Sequence, residues 1–279
     1  MIESLAKKLV KLKQDFVKTY DGTSNIQEII PLSTSDDFPV DENHLKSLHI
    51  FAKNNPIYYN SYEQTISDVS CVVYEGDINK YWLNSIQHAS SHAPFSPTWI
   101  FSAYLLSLHA KKLGYKQVID IGSGDGRIAF CAKIVGLDSF SFEIDQVLVN
   151  LQNLISDSTG INFNSYCTDA TVFDYSKLNL ETPIFFIGGL AQMGGIALAS
   201  GVIENIRTSV LNDTGMVFAG TFSQKYHPDP MSNAGWGTLI HKNNLHVSDT
   251  IILPTVWSFK ESDDTPYIFS KFIPNSNPN

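Results

Sequence analysis

The sequence predicts an α/β protein: a mainly parallel sheet of seven strands with helices on both faces, preceded by an N-terminal, mainly helical extension. Three observations carry this. Short apolar runs alternate with helical periodicities from residue 118 onward, a rhythm that builds parallel sheets with crossover helices. A glycine-rich turn stands between the first of those runs and the helix after it. A β-rich tail supplies two late strands, one of them expected to be antiparallel.

The elements follow in order. Leu5, Leu9, Val10, Leu12, Phe16 and Val17 recur at helical spacing over Ile2 to Tyr20, and Asp21-Gly22 stops the run. Residues 23–95 show turn signals such as Ser35-Asp36-Asp37, a helical stretch from Glu42 to Lys53 and the aromatic cluster Tyr58, Tyr59, Tyr62, with no parallel-sheet pattern. The character changes at Phe95-Ser96-Pro97-Thr98. An apolar helix is expected from Trp99 to about Leu113, stopped by Gly114. This puts a division between an extension, 1–94, and a core domain, 95–279.

In the core, strands are expected at Val118 to Ile121, Ser139 to Glu143, Asn162 to Cys167, Ile184 to Ile187 and Met216 to Gly220. Helices are expected at Gly126 to Val135, Gln146 to Ser156 and Ala197 to Leu211. The tail runs His246 to Trp257 and Tyr267 to Ile273, separated by Glu261-Ser262-Asp263-Asp264, read as a hairpin. Ile184 to Ile203 is long and uncharged enough to suggest a membrane span. Gly188, Gly189, Gly194, Gly195 and Gly201 interrupt it and neither flank is basic, so the expectation is a buried strand, a glycine-rich loop and a helix.

Composition bounds the function. Apolar residues make up 43% of the chain and charged residues 17%, an ordinary globular balance. A net charge of −9 gives no strong nucleic-acid signal, because phosphate backbones are held by clustered Lys and Arg. An acidic surface is instead compatible with a basic protein or an amine. Cys71, Cys131 and Cys167 are widely spaced and lack paired metal-site spacing, so free thiols, no metal and a cytoplasmic setting are expected. The amino-terminal residues alternate Lys with apolar positions and do not read as a secretory signal.

The chemistry concentrates at Asp120-Ile121-Gly122-Ser123-Gly124-Asp125-Gly126-Arg127. A glycine turn after a strand and before a helix lets backbone approach a ligand closely. The third glycine of a G-x-G-x-x-G dinucleotide turn would stand at position 127, where Arg127 stands instead, so the spacing disfavours a nicotinamide cofactor. Glu143 ends the second strand, where a carboxylate can accept from ribose hydroxyls. Asp169 and Ala170 close the third. Gly188 and Gly189 follow the fourth and serve either close backbone approach or packing.

The run D-x-G-x-G-x-G at Asp120 to Gly126 resembles the first motif of class I S-adenosylmethionine-dependent methyltransferases, a Rossmann-like family, over roughly residues 95–225. The resemblance implies S-adenosyl-L-methionine as cofactor. It places the methionyl part on Gly122, Ser123, Gly124, Gly126 and Arg127, with Asp120 orienting the loop and the amino group. It further implies that Glu143 holds the ribose and that Asp169 with Ala170 holds the adenine, with Gly188 beside the cofactor. The segment Phe95-Ser96-Pro97-Thr98, together with Asp120 to Arg127 and Phe142-Glu143-Ile144-Asp145, looks like the small archaeal protein-lysine methyltransferases and their histone-lysine relatives. In those proteins the proline-threonine segment covers the cofactor; Thr98 reads equally as a plain helix cap. The long extension departs from the small archaeal pattern.

The acceptor is less constrained. Phe186-Ile187-Gly188-Gly189-Leu190 lacks the Asn/Asp-Pro-Pro-aromatic run that grips planar amines, which disfavours that substrate class. A protein lysine is the leading acceptor, a small metabolite the second, and a non-catalytic cofactor-binding module the third reading; no catalytic residue is identified. His88 and His92, four apart, have no third ligand nearby. His92, Tyr58, Tyr59 and Trp236 are candidates to line a substrate pocket, with packing as the plainer role for each.

Overall fold

The computed structural model describes residues 2–85, 94–207, 213–220, 231, 235–254 and 264–272. The first segment begins with helix α1 (Ile2–Thr19), which buries Leu5, Leu9, Leu12 and Phe16 along one stripe, as its spacing predicts. Helix α2 (Glu42–Asn54) is capped by Asp41, whose carboxylate accepts from the Asn43 and His44 N–H groups. Helix α3 (Asn79–Ser85) ends this segment.

Beside these helices the extension holds a three-stranded antiparallel sheet, β1 (Ile26–Pro31), β2 (Tyr58–Ile66) and β3 (Val69–Gly76), in the order β1-β3-β2. Sequence patterning missed it for a physical reason. Every residue of β1 is buried, Glu28 included, so the strand does not alternate. Edge strand β2 is polar and mostly exposed, so its pleat leaves no apolar trace either.

The main sheet contains β4 (Gln117–Ile121), β5 (Asp138–Glu143), β6 (Ser165–Cys167), β7 (Pro183–Ile187), β8 (Gly215–Ala219), β9 (Leu245–Pro254) and β10 (Asp264–Phe272), ordered β6-β5-β4-β7-β8-β10-β9. Strands β4 to β8 run parallel, and β10 is antiparallel to both of its neighbours. Seven strands with one reversed is the sheet expected from the sequence. The helices of this part are α4 (Ile100–Lys112), α5 (Arg127–Ile134), α6 (Gln146–Thr159), α7 (Gly195–Ile206) and α8 (Gly237–Lys242).

Alternate strand residues enter two apolar clusters. Val118, Phe186, Val217 and Phe269 join α1, α2, α4, α5 and α6 on one face. Ile119, Phe185, Phe218 and Ile268 join α7 and α8 on the other. This is the helices-on-both-faces arrangement of a Rossmann-like fold. The first cluster runs without interruption from Leu5 and Phe51 of the extension to Phe130 and Phe269 of the core.

Ile184 to Ile203 resolves into the expected strand, glycine loop and helix, with a 3-10 turn at Ala191–Met193 that the sequence did not predict. No helix among the described residues is long and apolar enough to cross a membrane. Cys71 and Cys131 are buried and Cys167 exposed, all as free thiols. His88, His92 and the turn Glu261 to Asp263 lie outside the described residues, as does Trp257. Among the described residues no group of three His, Cys, Asp or Glu side chains could hold a metal ion.

Candidate cofactor site

A cavity opens along the carboxyl ends of the strands, the place where such sheets bind ligands. Thr98, Asp120, Gly122, Ser123, Gly124, Arg127, Glu143, Asp169, Ala170 and Gly188 all line it. Across the sheet the order is Asp169 after β6, Glu143 ending β5, Asp120 in β4, Gly188 after β7, Ala219 ending β8 and Tyr267 on β10.

Gly126 is the one member of the predicted set that does not line the cavity. Its φ of 78° is left-handed, and a Cβ there would strike Phe163 and Gln152, so it serves the bend into α5 and the packing beneath it. Gly188 lies against backbone: a Cβ would run into the carbonyl oxygens of Gly122 and Ile121. That close approach lets the loops after β4 and β7 stand side by side under the cavity. Packing, one of the two roles open to this glycine, is thereby accounted for.

Glu143 organises the turn. Its Oε2 accepts the Gly124 N–H at 2.9 Å, and its Oε1 accepts the N–H groups of Ile144 at 2.8 Å and Asp145 at 3.0 Å. Burial raises the carboxyl above the ordinary range, and those three donors pull it back. Asp120, also buried, accepts the Ala129 N–H at 3.3 Å, tying β4 to α5. Burial, reinforced by Asp125 and Glu143, pushes it up to about 8 despite that bond. Asp169 accepts the Thr171 N–H and hydroxyl on Oδ1, closing the turn after β6.

Arg127 has its guanidinium fully engaged within the protein. It donates to Asp125 from Nε (2.9 Å) and Nη2 (2.6 Å), to Glu28 (2.6 Å) and the Thr98 carbonyl from Nη1, and to the Tyr58 hydroxyl from Nη2 (3.3 Å). These bonds use all five donors of the fork, so Arg127 shapes the cavity wall through its partners. Thr98 is not a helix cap: Trp99 holds that position without a side-chain bond, and the Thr98 hydroxyl pairs with the Tyr267 hydroxyl at 3.2 Å.

Tyr58 lies in this buried network, and Tyr59 is exposed at the surface; neither lines the cavity. Trp236 stacks on Phe218 and donates its indole N–H to the Ala219 carbonyl, so it supports the wall from behind. Sequence reasoning passed over Asp125, Asp145, Thr265, Tyr267 and Met193 as cavity residues. Asp125 sits inside the quoted motif, whereas nothing in the spacing of Tyr267 points to it.

Among the solved structures similar to this chain are methyltransferases. One is a ribosomal protein L11 methylase from Lactobacillus delbrueckii subsp. bulgaricus (12% identity, TM-score 0.42, 62% of this chain and 79% of that one). A second is the magnesium protoporphyrin IX methyltransferase of Synechocystis PCC 6803 with bound S-adenosylmethionine (12%, 0.44, 62% and 78%). A third is the Pyrococcus abyssi tRNA (uracil-54, C5)-methyltransferase in complex with S-adenosyl-L-homocysteine (10%, 0.46, 76% and 44%). No protein-family model matches the chain, and no curated protein matches it.

Proposed function

We propose that this chain is an S-adenosylmethionine-dependent methyltransferase whose leading acceptor is a protein lysine amine. One observation carries the cofactor reading: the glycine turn, Glu143 and Asp169 open onto a single cavity at the carboxyl ends of consecutive strands, in the order the methyltransferase motifs require. The charge of the lining fits the same ligand. Asp125, Glu143, Asp145 and Asp169 face or border the cavity, against Arg127 as the cation among the described lining residues, and Asp120 adds a further carboxylate once a cationic ligand displaces its proton. Such a surplus favours a ligand carrying a sulfonium and an ammonium.

When bound, the cofactor supplies an electrophilic methyl group, and the protein's contribution is to bind, orient and exclude water. Asp120 would receive the amino group, Gly122, Ser123 and Gly124 the methionyl chain, Glu143 a ribose hydroxyl, and Asp169 with Ala170 the adenine. Thr98, held by Tyr267, would cover the methionyl end.

For the acceptor, the proline-threonine segment at 97–98 lines the cavity as the lysine-directed resemblance requires. The carboxylate-rich lining suits the approach of a cationic side chain. The test is methyl transfer from labelled cofactor into a whole lysate, separated into protein and small-molecule fractions. Label in protein that acid hydrolysis recovers as methyl-lysine supports the reading. Label confined to small molecules moves the acceptor to a metabolite, and no transfer despite cofactor binding leaves a binding module.

A further inference from the structure

Strand β1 of the extension is bound to the segment that covers one end of the cavity, and three consecutive residues carry the attachment. The Ile100 N–H donates to Glu28 Oε2 at 3.0 Å, so a carboxylate from the extension caps helix α4, which has no side-chain cap of its own. The Trp99 indole N–H donates to the Gln27 carbonyl at 2.7 Å. The Thr98 carbonyl accepts from Arg127 Nη1, the same nitrogen that donates to Glu28 Oε1, while Asp125 holds the guanidinium from its Nε and Nη2 side. Upstream, Phe95 meets Tyr81 of α3 edge-on and lies against Gly124, where a Cβ would strike its ring.

Glu28 is fully buried and stands at the centre of these bonds, also accepting the Tyr58 hydroxyl at 2.9 Å. Through Arg127 it reaches Asp125, inside the glycine turn, and Asp125 accepts in addition from the Asn55 side chain at 2.9 Å. Removing Glu28 would free the Ile100 N–H at the start of α4, release the Tyr58 hydroxyl from its acceptor and take one of two acceptors from Arg127 Nη1, the nitrogen that holds the Thr98 carbonyl. It would leave Glu143 and Asp169 alone, since these are fixed by their own local backbone bonds.

We propose that Glu28 is a positioning residue for the methionyl end of the cofactor, and that the extension is a fixed brace for residues 95–100 rather than a mobile lid. The inference rests on the cofactor reading above. It makes a claim about one end of the ligand only, because sheet order puts Thr98 and Tyr267 at the β10 side of the cavity and Glu143 and Asp169 at the β5–β6 side.

The test compares two probes on the full chain by calorimetry. S-adenosylhomocysteine has both the adenosyl and the amino-acid parts; 5′-methylthioadenosine lacks the amino-acid part. Glu28→Gln is expected to weaken S-adenosylhomocysteine at least tenfold and methylthioadenosine less than threefold, because only the first ligand reaches the braced end. Tyr58→Phe, which removes a single hydroxyl from the network, is expected to shift the ratio in the same direction by at least threefold, and it decides the matter where Glu28→Gln does not fold. Parallel loss of both ligands, or no loss of either, overturns the positioning role. If the unsubstituted protein binds neither probe, the cofactor reading has failed and takes this proposal with it.

Discussion

Replacing Glu143 with alanine tests the cofactor reading most directly, and its size follows from the bonds that residue already makes. A carboxylate offers about four acceptor sites, two on each oxygen. Oε1 spends both on Ile144 and Asp145, and Oε2 spends one on Gly124. One site on Oε2 therefore remains, enough for one ribose hydroxyl. A hydrogen bond to a charged group contributes about 1.5–3 kcal/mol, so Glu143→Ala is expected to weaken S-adenosylhomocysteine about 10- to 150-fold. The same change leaves the buried Gly124 N–H without its acceptor, and stability should fall by about 1–3 kcal/mol. Calorimetry below the unfolding temperature reads the first effect and urea denaturation the second. Glu143→Gln keeps one acceptor oxygen and should lie between the two proteins on both scales. A folded Glu143→Ala variant that binds the ligand within twofold of the parent would refute the ribose assignment.

Other outcomes follow from the same geometry. Asp120, pushed up to about 8, is largely protonated in the empty cavity at pH 7, and a cationic ligand prefers its carboxylate. Affinity for S-adenosylmethionine should therefore rise between about pH 7 and 9 with proton release on binding, and Asp120→Asn should flatten that profile in calorimetry across buffers of different ionisation enthalpy. For the unliganded protein the sign is opposite. A carboxyl raised on folding contributes stability that is full below its unfolded value near 3.8 and is lost as pH rises through about 8, which thermal melts at pH 6 and pH 9 would register. Arg127→Met strands Glu28 and Asp125 without their cation and should cost about 3–5 kcal/mol in denaturant unfolding. Gly188→Ala drives a methyl into the Gly122 backbone and should cost about 1–3 kcal/mol, measured as a lowered unfolding midpoint.

Local patterns were legible in the sequence where a residue's role depends on its near neighbours. Strands β4 and β7 are short, mostly apolar runs beside turn signals, β5 alternates Ser with Phe, and the turn from Gly122 to Gly126 declares its backbone through left-handed glycines. Glu143 and Asp169 could be placed on the cavity from sequence because one ends a strand and the other stands two residues beyond the next. Contacts distant in sequence left no such trace. Glu28 looks like an ordinary polar residue in an apolar stretch, and its partner Arg127 stands 99 positions away. Arg127 itself read as part of the ligand-binding turn, yet its donors are all committed to protein. Tyr267 entered the site only because β10 reverses and slots between β8 and β9, a pairing fixed in three dimensions.

The packing of α1 against β9 bears on how the molecule is made. Helix α1 is synthesised well before β9, the strand beside which it comes to rest. Until β9 emerges, the stripe of Leu5, Leu9, Leu12 and Phe16 lacks that partner and is open to chaperones or to association with other nascent chains. Closing so long a loop is entropically slow, and the brace on the cavity comes from the same extension. Ligand competence should therefore await the meeting of α1 with β9.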